Sequence, residues 1–310
     1  MNHTIHGKHH HWRWDNALPP VVRIAPGDRV ELEALDPGGG QIEPRTGADE
    51  LERLDFARVN PVTGPIFIDG AAPGDAVRVK LEAVVPSGWG WTALIPGFGL
   101  LAMDFPEPAL HSWSYDPTPG RPAHFGKLAR VPLKPMVGSI GLALGKPGAH
   151  DILPPRHVGG TMDIRDMNPG TELYLPVEVP GGLLSFGDGH AAQGEGEVCG
   201  TGLETAIRVA ARIDLVKGLR LEGPEFTTDG PVQRHLDGKG YYVTTGIGPS
   251  LMQGAVDAVR RMIDLLARRH GLRPEDAYML CSVCADLRIS EIVDRPNWIV
   301  ALYFPRIVFE

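Results

Sequence analysis

The chain has 310 residues, 22% of them charged and 43% hydrophobic, and a formal net charge of −8. This balance gives no basic field for a phosphate backbone, no apolar run reaches the ~18–20 residues of a bilayer span, and the opening "MNHTIHGKHHHWRW" lacks the apolar stretch of a signal peptide. Nucleic acid and membrane are thus excluded as expected partners, and three cysteines, Cys199, Cys281 and Cys284, are too few for a disulfide framework and suit a reducing cytoplasm.

Three adjacent histidines, His9 to His11, read as a solvated arm, yet Trp12, Trp14, Asp15 and Asn16 follow at once and lead into the first expected strand, so part of this stretch is expected to pack. "APGDRVELEAL" (25–35) opens with a Pro-Gly-Asp turn and then alternates Val30, Leu32 and Ala34 on one face. "APGDAVRVKLEAV" (72–84) repeats the unit with Val77, Val79, Leu81 and Ala83, and "NPGTELYLPVEV" (168–179) repeats it with Leu173, Leu175, Val177 and Val179. Between them, 86–108 and 111–125 are aromatic, rich in glycine and proline, and aperiodic, as in loops that line or cover a pocket.

"IRVAARIDLV" (207–216) alternates strictly through Ile207, Val209, Ala211, Ile213 and Leu215 and reads as a strand. The period changes only at 250–270, where Leu251, Ala255, Val259, Met262, Leu265 and Leu266 form a helical stripe that stops at Gly271. A second helix is expected at 274–285, with Pro274 in its first turn followed by Glu275 and Asp276. It carries the CxxC of Cys281 and Cys284, which lacks a second cysteine pair and reads as buried thiols.

Glycine and proline (39 and 29 residues) make up about a fifth of the chain, as suits many short strands joined by tight turns. The expected fold is mainly β (α+β): β-sandwich or jelly-roll-like sheets with a smaller C-terminal α/β part. Residues 1–150 are expected to form an N-terminal β-rich region and 151–310 an acidic-loop region with the C-terminal helices, the active site being shared between them.

The chemistry concentrates in "FGDGHAAQGEGEVCGTGLET" (186–205), which holds four carboxylates, one histidine and six glycines. If "GDGH" is extended, Asp188 and His190 project to one face, and Glu195 and Glu197 make a second i, i+2 pair. Acids this dense either lie in water or share a cation. Asp oxygen with His nitrogen suits zinc or a similar ion, whereas an all-oxygen set suits calcium. "RHVGGTMDIRD" (156–166) adds Asp163, which reads equally as a turn cap.

"WDNALPPVVRIAPGD", "NPVTGPIFIDGAAPGD", "GFGLLAMDF", "GSIGLAL", "RHVGGTMDIRD", "YLPVEVPGGLLSFGDGHAAQGEGEVCGTGLET" and "AYMLCSVCADLRI" occur in the order typical of the acetamidase/formamidase family, which the chain resembles from about residue 9 to 305. The resemblance implies a cytoplasmic, homo-oligomeric (dimer or higher) amidohydrolase that releases ammonia from short aliphatic amides such as formamide and acetamide. By matching blocks it points to Asp163, Asp188, His190, Gln193, Glu195, Glu197 and Asp286. Thr161 stands where members commonly carry Asn, and Glu195 where Asp is frequent.

On chemical grounds, Asp163, Asp188, His190 and Asp286 are the expected metal ligands, Glu195 or Glu197 the proton carrier, and Gln193 a further catalytic group. The metal is expected to be zinc, with calcium the other candidate. Cys199 is the rival nucleophile, opposed by the carboxylates around it. "GSIG" (138–141) holds a single serine and lacks the Gly/Ser signature of serine amidases. A non-catalytic β-sandwich that binds calcium or a small ligand is the alternative from a different class.

Overall fold

Alternating apolar residues build the strands, and a computed structural model describes residues 1–309. Arg29–Ala34 buries Val30, Leu32 and Ala34 and leaves Glu31 and Glu33 outside. Ala76–Pro86 buries Val77, Val79 and Leu81, but a bulge opposite Ala210 and Ala211 shifts its register, so Val84 turns inward and Ala83 is only half-buried. The extra residue in the bulge resets a period of two. Ile207–Val216 is a strand, paired antiparallel on both sides.

These strands form a six-stranded sheet in the order Asn2–Ile5, Arg29–Ala34, Ile207–Val216, Ala76–Pro86, Glu172–Pro176, Glu225–Thr227. A second sheet runs Gly159–Thr161, Met136–Gly141, Leu184–His190, Val62–Ile68, His10–His11, with Val22–Ile24 also paired to Val62–Ile68. The inner faces share one apolar core, with Leu32, Val79, Leu173 and Ile213 from the first sheet and Ile66, Ile140, Leu184 and Phe186 from the second. This is the packing of a β-sandwich.

The division expected near residue 150 is not a structural one. Strands from either side of that point alternate within both sheets, because Ile207–Val216 inserts between Arg29–Ala34 and Ala76–Pro86, and Leu184–His190 between Met136–Gly141 and Val62–Ile68.

The C-terminal part is a three-stranded sheet of Tyr241–Gly248, Trp298–Pro305 and Asp286–Glu291, covered by helices Leu251–His270 and Pro274–Cys284. Ser250 caps the first helix, its side chain accepting from the Gln253 amide, and Gly271 ends it at φ +66°, a conformation glycine adopts without a Cβ clash. Ala258, Met262 and Leu266 pack with Tyr278, Cys281, Leu302 and Phe304 in a second core.

The aromatic stretches at 86–125 are more ordered than expected. Trp89–Leu94 and Ala109–Ser114 pair as an antiparallel hairpin, and Trp113 and Phe125 sink into the second core. Trp14, beyond the histidines, is buried, and His11 bonds through Nε2 to Ser185 Oγ at 3.0 Å.

Candidate active site

Leu184–His190 is buried along its whole length between two neighbouring strands. Asp188 and His190 share a face, as the period requires, but Asp188 holds φ +59°, and Asp163 and Glu197 hold +48° and +40°. Left-handed backbone at three acids costs on the order of 1 kcal/mol or more each, and such strain persists where the surroundings enforce it.

The side chains converge on His190 Nε2, which lies 3.0 Å from Glu204 Oε2, 3.3 Å from Asp188 Oδ1 and 3.8 Å from Glu197 Oε1. Gln193 fixes the ring. Its Nε2 donates to the Asp163 carbonyl at 2.6 Å, which leaves its Oε1 to accept from His190 Nδ1 at 2.7 Å. With the proton on Nδ1, the Nε2 lone pair faces the carboxylates. Asp188 is held from behind: Asn60 Nδ2 donates to its Oδ2 at 2.9 Å and Ser139 Oγ at 3.2 Å. Ser139 in turn bonds Thr161 Oγ1 at 2.7 Å.

Gly138 makes room for this arrangement. A Cβ there would run into Asp163 Oδ1 and come within 2.9 Å of both Asp188 O and Oδ2. Gly138→Ala is therefore expected to displace both carboxylates and lower activity by about 10²-fold or more with the fold retained, as read by amide turnover and circular dichroism. Gly194 serves the outer turn: a Cβ would meet the Ala285 backbone, with its nitrogen at 2.7 Å, so the acidic loop lies directly on the end of the second helix.

Glu204 was not singled out in the sequence, although it closes the same acidic stretch. Its backbone bridges His190 across a return in which Ala191 N donates to Leu203 O and Leu203 N to Ala192 O, both at 2.8 Å. Pairing of this kind, fourteen positions along the chain, has no period to reveal it. The Gly202 amide donates to Glu204 Oε1 at 2.5 Å and orients the carboxylate.

Asp286, expected among the ligands, is not one of the residues gathered at His190. It is fully buried beside Arg165, and it also accepts from Gln233 Nε2 at 3.0 Å and from a terminal guanidinium nitrogen of Arg288 at 3.1 Å. Two guanidinium groups therefore face it, and it does not belong to the two groups of ligand atoms that meet at His190. Glu195 leans the same way, its Oε1 3.6 Å from Arg165 Nε, while Glu197 reaches the His190 cluster, so the two members of the i, i+2 pair have different surroundings.

The electrostatics of the cluster are those of a site that attracts cations. Burial raises the Asp163 carboxyl well above its ordinary range, and Asp188 raises it further; burial and then Asp163 do the same to Glu197, and burial raises Glu204. Burial opposes charge on His190, but Glu204 and Asp188 outweigh it and lift the imidazole well above its ordinary value. Without a cation the cluster must hold protons.

The residues fit a divalent ion. Asp163, His190 and Glu197 each offer a ligand atom, all within 4.8 Å of one another, and Asp188, His190 and Glu204 do likewise. Asp163 Oδ1 is buried with no hydrogen-bond partner, a costly state that a bound cation relieves.

Cys199 is a different matter. It is buried, donates weakly to the Ala93 carbonyl at 3.5 Å, and burial pushes its thiol up to about 11, so it does not supply a thiolate near neutrality. Cys199→Ala is expected to retain ammonia release while losing about 1 kcal/mol of stability, measured by denaturant unfolding.

The cluster opens to a cavity of ≈ 630 Å³ whose lining includes Asn60, Asp163, Asp188, His190, Glu195, Glu197 and Glu204. The family model described as acetamidase/formamidase matches residues 2–147 and 143–310. The chain belongs to the acetamidase/formamidase family. A formamidase of Methylophilus methylotrophus is 27% identical over 97% of this chain and 89% of its own, and an acetamidase of Mycolicibacterium smegmatis 28% identical over 67% and 66%. Among solved structures, an acetamidase from Bacillus halodurans aligns with a TM-score of 0.69 at 31% identity, covering 97% of both chains. A gamma lactamase from Delftia acidovorans shares the fold, with a TM-score of 0.90 at 24% identity over 98% of this chain and 90% of that one. The family is one of amidases, which hydrolyse amide C–N bonds, and this member is a hydrolase of that class.

Proposed function

We propose that the protein releases ammonia from short aliphatic amides, with a divalent ion, zinc, held by Asp188, His190 and Glu204 and flanked by Asp163. The observation that carries this reading is the meeting of one tautomer-fixed histidine nitrogen with three carboxylates in a buried pocket that opens to a cavity. A nitrogen donor among oxygens favours zinc over calcium and speaks against the calcium-binding alternative.

Bound there, the ion would polarise the amide carbonyl and acidify water. The chain's own groups do the rest. Gln193 keeps His190 Nδ1 protonated and Nε2 free; Asn60 and Ser139 hold Asp188 by one oxygen so that the other faces inward. Glu197, next to the cluster and lining the cavity, takes the proton of the attacking water and passes it to the departing nitrogen. The water oxygen bonds to the carbonyl carbon, the C–N bond breaks, and carboxylate and ammonium leave. Glu195, which lines the same cavity beside Arg165, would bind the amide nitrogen.

The same reading sets the enzyme in the cytoplasm as a homo-oligomer. Its three cysteines are free, no helix among the described residues is long and apolar enough to cross a membrane, and Val243 and Ile247 of the C-terminal sheet are exposed.

The test is ammonia release from formamide and acetamide before chelation, after it, and after zinc is restored. Activity that is lost and regained supports the reading, and activity indifferent to chelator overturns the metal. Because the carboxyls of Asp163, Glu197 and Glu204 hold their protons above the ordinary range, ion binding must expel them, so zinc affinity is expected to fall as pH falls and uptake to acidify a weakly buffered solution. Isothermal titration in buffers of different ionisation enthalpy measures both.

A further inference from the structure

The cavity outside the acid cluster is large for formamide or acetamide. Its ≈ 630 Å³ lies within the roughly 300–1,000 Å³ of pockets that enclose drug-sized ligands. Asp163, Asp188, Glu197 and Glu204 gather at His190, whereas much of the remaining wall is hydrocarbon, including Leu54, Phe56, Trp91, Ile95, Phe98 and Met162.

These residues come from separate segments. Phe56 lies in the short helical turn Phe56–Arg58, Phe98 in the loop after strand Trp89–Leu94, and Met162 just before Asp163. The Phe56 and Phe98 rings meet edge to face with centroids 5.9 Å apart, although each remains about two-fifths exposed, at 42% and 39%. Paired aromatic rings left open on a cavity wall gain from apolar cover. An acyl group of one or two carbons carries at most one methyl group, too little apolar surface to cover two rings.

We infer that the preferred substrates are primary amides with a bulky hydrocarbon acyl group, of arylalkyl size, whose apolar end covers Phe56 and Phe98. This rests on the amidohydrolase reading above, keeps the short amides as substrates and ranks larger ones above them in kcat/KM. Formamide and acetamide are then slow substrates that use only the polar end. Burying one phenyl-sized group in an apolar pocket is worth about 10- to 10²-fold in kcat/KM.

The experiment compares kcat/KM for acetamide, butyramide and phenylacetamide with the zinc-loaded enzyme. The expected result is a rise of about 10²-fold from acetamide to phenylacetamide, with Phe98→Ala cutting that ratio about tenfold. A kcat/KM that peaks at acetamide and falls with size, or a ratio untouched by Phe98→Ala, overturns the inference while leaving amide hydrolysis intact. A parallel measurement does not depend on turnover: in chelator-treated protein, saturation-transfer NMR is expected to show phenylacetamide binding that Phe98→Ala weakens. Absence of that binding counts against the inference even if no amide is hydrolysed, and loss of hydrolysis of every amide, with binding retained, counts against the amidohydrolase reading alone.

Discussion

Glu204→Gln is expected to lower kcat/KM for amide hydrolysis by at least about 10³-fold, equivalent to roughly 4 kcal/mol of transition-state stabilisation. The substitution keeps shape and volume, and its oxygen can still accept from the Gly202 amide. What disappears is the negative charge 3.0 Å from His190 Nε2, at a side chain that is almost fully buried. One carboxylate fewer means weaker hold on a divalent ion, so zinc content after gel filtration is expected to fall with activity while the far-ultraviolet circular dichroism stays unchanged. A folded Glu204→Gln enzyme with full activity and full zinc would remove Glu204 from the site.

The second large effect is on stability. Arg165→Met is expected to destabilise the fold by about 3–5 kcal/mol, because it strands the Asp286 carboxylate in a fully buried position and removes the cation beside Glu195. Arg288 and Gln233 remain on Asp286 and keep the loss within that range. Asp286→Asn separates the structural role from a ligand role: zinc affinity is expected to hold while the denaturation midpoint falls. Zinc lost in Asp286→Asn with stability unchanged would return Asp286 to the ligand set.

Most of the architecture was legible because it rests on local alternation. Val30, Leu32 and Ala34, or Leu173, Leu175, Val177 and Val179, report their own burial through a period of two, and Gly271 marks its helix end by backbone conformation alone. The bulge in Ala76–Pro86 was hidden, since it depends on what the partner strand does at Ala210 and Ala211. So was the interleaving of the two halves, because a half-buried strand looks the same whichever neighbour it pairs with.

The site divides in the same way. Asp188 and His190 were readable as a pair because two residues on one strand share a face. Glu204 was not, because its approach depends on a return that closes only in three dimensions, and Asn60 and Ser139 act through hydrogen bonds that no spacing encodes. Asp286 misled in the opposite sense. A buried acid in a matching block resembles a ligand until its partners are known, and here they are Arg165 and Arg288.

Everything chemical in this account depends on a divalent ion resting against His190 Nε2. Diffraction from zinc-grown crystals, recorded on both sides of the zinc absorption edge, tests this most directly. The expected map holds an anomalous peak about 2.0–2.2 Å from His190 Nε2 and from oxygens of Asp188 and Glu204. A map with no peak there, or with its peak beside Asp286 instead, would contradict the account.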